Sequence, residues 1–226
     1  TKIHQKIIEK FDACWIPDTQ GEINLSGKLG HLKKINVPTT YIGPLSRFTN
    51  TRIEIKNDLM VLISGPEPQR TMLEEKLLHE LKGYSGKVLF VRGIMEKEQT
   101  IKTLGNITIY NFMTSRLLEK SINESALVIS RSGYTTVMDL AKLNKKAFFI
   151  PTPGQFEQEY LAKNHLGHTQ LHYLYMRSFY KELKISEKVQ EAVNYYTKQS
   201  ASFWTDYNLY SKGLIALTNF IGSKND

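Results

Sequence analysis

The chain has 226 residues, 41% of them hydrophobic and 23% charged, ordinary globular composition with enough apolar material for a sizeable core. No apolar run of about 18 residues and no signal-peptide pattern occurs, and the single cysteine, Cys14, excludes an internal disulfide and fits a reducing, cytoplasmic setting. Thirty Lys and Arg against 22 Asp and Glu leave a net charge of +8. That balance favours a phosphorylated ligand, a polyanion or peripheral contact with an anionic membrane face, and it equally suits a merely basic, solvated surface. No Lys/Arg block, RNP-like aromatic motif or zinc-finger spacing points to nucleic acid.

In chain order, "KIIEKFD" reads as helix, "ACWIPD" (13–18) as strand, "QGEINLSGKLGH" as a polar loop and "TTYIGPLSR" (39–47) as a second strand followed by a turn. A linker is expected near 47–57. The pattern then alternates. "LMVLIS" (59–64) is a continuous apolar run, and "PEPQRTMLEEKLLHELKG" a helix with Pro68 near its first turn and Gly83 just past its end. Strands follow at 87–93 and 107–112, then a helix at 114–125 with Thr114 or Ser115 as N-cap. Next come strand 126–130, helix 134–143, strand 146–151 and helix 155–165; beyond about 166 the chain turns aromatic and basic, then helical. Continuous apolar strands separated by helices mean a parallel sheet covered on both faces, an α/β, Rossmann-like domain.

Ligands of such sheets sit at the carboxyl ends of the strands. Three ends carry polar or glycine-containing turns here: "SGPEPQR" (64–70), "NFMTSR" (111–116) and "SRSGYTT" (130–136). In the third, the amides of Ser132, Gly133 and Tyr134 are expected to point out of a helix N-terminus, where partial positive charge suits a phosphate. Ser132, Thr136 and Asp139 fall at i, i+4 and i+7 of the following helix, a polar stripe about 10 Å long. A carboxylate at that distance from a phosphate cradle can accept the hydroxyls of a ribose. The plainer reading has Ser132 capping the helix and Asp139 solvated.

The stretch "SRSGYTTVMDLAKLNKKAFFIPTPGQFEQEYLA" resembles the nucleotide-sugar signature of the MurG-like GT-B glycosyltransferases: Arg-Ser-Gly-x-x-Thr-x-x-Glu, an apolar strand, Pro, then a Gln-containing helix start. The similarity covers about residues 58–167, and residues 11–48 look like the end of the N-terminal domain of bacterial members. The resemblance implies the C-terminal half of a GT-B fold, with 1–47 a remnant of an N-terminal Rossmann-like domain and 48–204 the nucleotide-sugar domain. Residues 205–226 would form a terminal helix returning to the N-terminal side. It further implies a donor diphosphate at Ser132 and Gly133 and ribose hydroxyls at Asp139, where the family usually has Glu. Uracil would lie at Phe112 and Met113, and the transferred sugar at Gln158 and Glu159, where family members often have two glutamines. Ser64, Gly65 and Arg70 stand where the family has a Gly-Gly-Ser-rich turn; for Arg70 a solvated first-turn side chain is the plainer reading. The family's catalytic base lies early in the N-terminal domain, and nothing here corresponds to it. The chain begins at Thr1 rather than Met, and the expectation is a missing N-terminal half, removed or carried by a separate subunit, without which the chain is inactive.

The function so implied is a UDP-sugar-dependent hexosyltransferase, inverting, needing no cofactor or metal, with an unidentified acceptor that includes lipid-linked molecules among the options. No Asp-x-Asp metal clamp occurs. His165, His168 and His172 suggest zinc only by count, and "YLYMRSFYKELK" (173–184) suits a domain contact better than a membrane surface. A UDP-sugar 2-epimerase-like enzyme and a non-catalytic basic binding module remain as alternatives. A dinucleotide oxidoreductase is disfavoured, since no Gly-x-Gly-x-x-Gly follows a strand.

Overall fold

The structure, a computed structural model, describes residues 2–22, 24–31, 36–164 and 171–173. Helix α1 (Lys2–Ile8), strand β1 (Cys14–Ile16), one 3-10 turn at Gly27–Leu29 and strand β2 (Thr39–Tyr41) come first. β1 and β2 pair in parallel, with Trp15 opposite Thr40, the arrangement of an α/β unit rather than a hairpin.

The main sheet is built from β3 (Asn57–Leu62), β4 (Val88–Val91), β5 (Ile101–Leu104), β6 (Ile107–Tyr110), β7 (Ser125–Ser130), β8 (Lys146–Phe149) and β9 (Leu171–Tyr173). Helices α2 (Gln69–Leu81), α3 (Ser115–Asn123), α4 (Tyr134–Lys142) and α5 (Phe156–Asn164) lie between the strands in sequence. The sheet order is β5-β6-β4-β3-β7-β8-β9, parallel except for the β5–β6 pair. This is the expected Rossmann-like layering.

Alternate side chains of each strand enter opposite cores. Leu59, Val61 and Ile63 pack with Leu73, Leu77 and Leu81 of α2 on one face. Met60 and Val128 pack with Ile122 of α3 and Val137 and Leu140 of α4 on the other. Leu77 is fully buried, so its truncation to Ala would cost about 2–5 kcal/mol.

Two strands depart from the sequence reading. β5 is a four-residue edge strand whose residues are all exposed, so no apolar run marks it. β9 pairs with β8, Leu171 opposite Ala147, inside the stretch read as merely aromatic and basic. The proposed terminal helix 205–226, the segment 174–184, and His165 and His168 lie outside the described residues.

The connector, residues 42–56 between β2 and β3, begins earlier than the linker expected near 47–57 and is laid against the domain rather than free of it. Thr49 N donates to Glu119, Thr51 N donates to the Asn123 side chain, and Asn123 Nδ2 donates back to Thr49 O. α4 ends in a Schellman motif: Asn144 takes φ +54, Asn144 N donates to Ala141 O and Lys145 N donates to Leu140 O.

From β3 the sheet grows through β4 and β6 one way and through β7 and β8 the other. The switch point therefore lies between β3 and β7, and a crevice at their carboxyl ends is where this architecture seats ligands.

Candidate functional site

The turn after β7 forms one wall. Helix α4 begins at Tyr134, with Gly133 as its N-cap and no side chain capping the first amides. A helix end left so has unpaired N–H groups and partial positive charge. A Cβ built on Gly133 meets nothing within 4 Å, so the ground beside those amides is open. Ser132 corrects the expected polar stripe. It precedes the helix and is fully buried, and its hydroxyl donates to Gln158 O at 2.7 Å. Ser132 thus ties the β7–α4 turn to the start of α5, and only backbone amides are left to meet a phosphate.

Asp139 sits further along α4, one turn beyond the half-buried Thr136. It is not the solvated acid of the plainer reading: only 9% of it is exposed. The Ser46 hydroxyl donates to Asp139 Oδ1 at 2.6 Å. Burial pushes the Asp139 carboxyl above its ordinary value, while the Ser46 hydrogen bond and nearby Arg47 pull it down. Ser46 belongs to the connector, which also approaches α4 through Leu45 N, donating to Met138 Sδ at 3.3 Å.

The turn after β8 is closed by the two side chains expected at a transferred sugar. Gln158 Oε1 accepts from Thr152 N at 2.9 Å, and Gln158 Nε2 donates to the Gln155 side chain. Glu159 Oε1 accepts from Gly154 N at 2.9 Å. Both side chains are half-buried, and both preorganise residues 152–155. Beneath them the buried Arg131 donates to Ile150 O, Pro151 O and Gln69 O, binding the ends of β7, β8 and the start of α2 into one floor.

The turn after β3 carries Ser64 and Gly65, both exposed. Gly65 has φ +117, a conformation open to glycine, and its missing Cβ would stand 3.7 Å from Thr152 Oγ1. The turns after β3 and β8 therefore meet above β7. Arg70 does not reach this space. It is 7% exposed, paired with Glu74 at 2.7 Å and Glu67 at 2.5 Å, and Arg92 donates to the other oxygen of Glu74. The solvated first-turn reading is overturned by that cluster.

Phe112 and Met113, half-buried, follow β6. The Phe112 amide donates to Asn111 Oδ1, and its carbonyl accepts from Gln99 Nε2. Met113 packs on the α3–α4 core, on the α4 side of the sheet with Asp139.

Sequence reading also missed the roof. Buried Asp18, just past β1, accepts from the amides of Thr19, Leu25 and Ser26 and from the Ser26 hydroxyl, organising the loop residues that follow it. That loop is stitched to the main domain. Tyr134 OH donates to Pro17 O at 2.9 Å, and Lys28 N donates to Tyr160 OH at 2.7 Å. A cavity of about 500 Å³ opens beside it, walled by Trp15, Ile16 and Tyr41 on one side and Tyr134 and Glu157 on the other. Among the described residues no group of His, Cys, Asp or Glu could hold a metal ion, and no helix is long and apolar enough to cross a membrane.

A parallel sheet with a switch-point crevice, an uncapped helix N-terminus and an acid further along the same helix define the class: a Rossmann-like α/β domain. Comparison with known proteins narrows it. Residues 68–204 match the glycosyltransferase family 28 C-terminal domain, more than half of the chain, which belongs to that family. The sequence matches no curated protein. The fold is that of solved GT-B glycosyltransferases. It superposes on the structure described as the glycotransferase of kitacinnamycin with TM-score 0.52 at 12% identity, over 84% of this chain and 46% of that one. On TarM the TM-score is 0.50 at 13% identity, over 100% and 46% of the two chains. MurG from Acinetobacter baumannii shares 18% identity over 70% and 44%, at TM-score 0.42. The chain thus spans about half the length of these structures.

Proposed function

We propose that this chain is the donor-binding half of a glycosyltransferase that takes a UDP-sugar and passes the sugar to an acceptor held by an N-terminal half. The observation that carries the reading is the joint placement on α4 of an uncapped, unobstructed N-terminus at Gly133 and the carboxylate of Asp139.

In this reading the diphosphate meets the α4 amides. As the bond from the anomeric carbon to the diphosphate oxygen breaks, its electron pair leaves with UDP. The helix N-terminus stabilises that developing charge without reorganisation. Asp139 takes ribose hydroxyls, and the turn at Phe112–Met113 lies against the base. Gln158 and Glu159 shape the 152–155 turn, whose backbone, rather than their side chains, faces the sugar. Ser64 and Gly65 close the crevice from β3. The base that deprotonates the acceptor belongs to the N-terminal half, and inversion at the anomeric carbon follows the family resemblance. Transfer needs no metal in this scheme. The acceptor, lipid-linked ones included, is set by that other half, as is any contact with an anionic membrane.

The test is sugar transfer by a protein in which an N-terminal Rossmann-like domain precedes this chain. UDP release that depends on an acceptor and yields a glycosylated product supports the proposal. Conversion of the UDP-sugar with no acceptor would replace it with an epimerase.

A further inference from the structure

We propose that Ser46, a residue of the connector, forms the second half of the ribose seat, so that a nucleoside diol is held jointly by Asp139 on α4 and by the connector. The proposal rests on the uridine-nucleotide reading above and adds a residue and a specificity that neither the motif nor the family match assigns.

The geometry is specific. Asp139 Oδ1 accepts from Ser46 Oγ at 2.6 Å, and Asp139 Oδ2 has no hydrogen-bond partner among the described residues although only 9% of the residue is exposed. Oδ2 is not among the fully buried atoms that lack a partner, so it is open to a ligand, and a sugar hydroxyl is the kind of donor a carboxylate oxygen accepts. Ser46 Oγ also accepts from Phe48 N at 3.2 Å. A hydroxyl has one donor and two acceptor sites, so one lone pair of Ser46 remains. Two neighbouring hydroxyls on a ribose match these two vacant acceptors: one donates to Asp139 Oδ2, the other to Ser46 Oγ.

Two further contacts make Ser46 more than a chance neighbour. Leu45 N donates to Met138 Sδ, and Arg47 stacks its guanidinium over Phe48 at 5.1 Å, with Phe48 buried in the α3–α4 core. The serine is therefore held over α4 from both sides. A polar side chain fixed by packed neighbours on a rigid helix is the arrangement that discriminates ligands by single hydroxyls. The shorter acid belongs with this. Asp139 ends one methylene earlier than the glutamate usual in the family resemblance, and Ser46 fills the space beside it with a second polar group.

The experiment is calorimetric titration of UDP, 2′-deoxy-UDP and 3′-deoxy-UDP into the 226-residue chain and its Ser46→Ala and Ser46→Thr variants. The wild-type chain should bind the analogue lacking the hydroxyl that faces Asp139 about tenfold to a hundredfold more weakly than UDP, and the analogue lacking the hydroxyl that faces Ser46 about five- to tenfold more weakly, as expected for one charge-assisted and one neutral hydrogen bond lost. Ser46→Ala should lose a similar factor for UDP and no longer distinguish UDP from one of the two analogues, while Ser46→Thr should keep the wild-type preference. If Ser46→Ala weakens all three nucleotides equally, or none, the serine is only a connector clasp and the proposal is overturned. Wild-type indifference to both deoxy analogues overturns it without any variant. If the wild-type chain fails to bind UDP at all, the uridine-nucleotide reading itself falls, and the proposal with it.

Discussion

Ser46 and Asp139 are 93 positions apart in sequence and 2.6 Å apart in space. That hydrogen bond joins the connector to the helix whose N-terminus faces the crevice. Asp139→Ala should weaken UDP binding roughly tenfold to a few hundredfold, since hydrogen bonds to an ionised acid are worth about 1.5–3 kcal/mol each. Asp139→Glu should retain most of the affinity. Because Asp139 is buried, the Ala variant should also change fold stability, by about 1 kcal/mol in either direction: a hydrogen bond is lost and a desolvated acid is removed. Calorimetry of UDP binding together with urea unfolding of the three forms checks both numbers.

The pH dependence of Asp139 has a definite sign. Burial raises its folded pKa above the ordinary 3.8, so the residue's contribution to stability is fully present below that value and is lost as pH rises through the folded pKa. UDP binding runs the other way, because the ionised acid is the form that accepts hydroxyls. Affinity should fall as pH drops through the folded pKa, and in Asp139→Asn that fall should disappear. Removing the Ser46 hydroxyl should move the fall to higher pH, since its hydrogen bond lowers the pKa.

Lys145 provides an independent check on the opposite pole of the sheet. Burial lowers its pKa from 10.5 to about 8, even though its ammonium donates to Asn123 O and Ser125 O. Folded Lys145 releases its proton above about 8, while the unfolded chain keeps it to 10.5. Unfolding free energy should therefore rise between those two values and be lower below them. Lys145→Met should remove this slope, visible as a difference between the two urea-unfolding profiles over pH.

Gly93 and Gly133 should separate fold from site. A Cβ on Gly93 would stand 2.3 Å from Ile63 O, at φ +71. Gly93→Ala should cost at least about 2 kcal/mol, since backbone has to move and the conformation is strained. Gly133→Ala meets open space at an ordinary φ of −65, so its melting temperature should stay near wild type. The added methyl would nevertheless lie where a phosphate must approach the α4 amides, and UDP affinity should drop. Melting curves with and without UDP measure both effects.

The sequence made the buried parallel strands legible because both of their faces are covered, which turns β3, β4 and β7 into unbroken apolar runs. β5 could not be read this way: "IKTL" is exposed along its length and gains its place only by pairing with β6. Asp139 was legible from its helical spacing to the Gly133 turn, and Gly133 from its place after β7. Ser46 was not, because no local pattern links a serine in a connector to an acid on a distant helix. Arg70 shows the reverse limit. In sequence it is a first-turn cation, and only folding brings Glu74 and Arg92 together around it. Ser132, Gln158 and Glu159 fit the motif by spacing, while their side chains are engaged in holding turns to one another.

The central claim is that this domain seats a uridine nucleotide at the β3–β7 crevice, and thermal unfolding against a nucleotide panel tests it most directly. A ligand that binds only the folded state raises its apparent stability by about 2.7 kcal/mol at a concentration one hundred times its Kd. UDP and UDP-sugars should raise the melting temperature, and nicotinamide dinucleotides should leave it unchanged. A flat response to every uridine nucleotide at millimolar concentration, or an equal response to nicotinamide dinucleotides, would contradict the account.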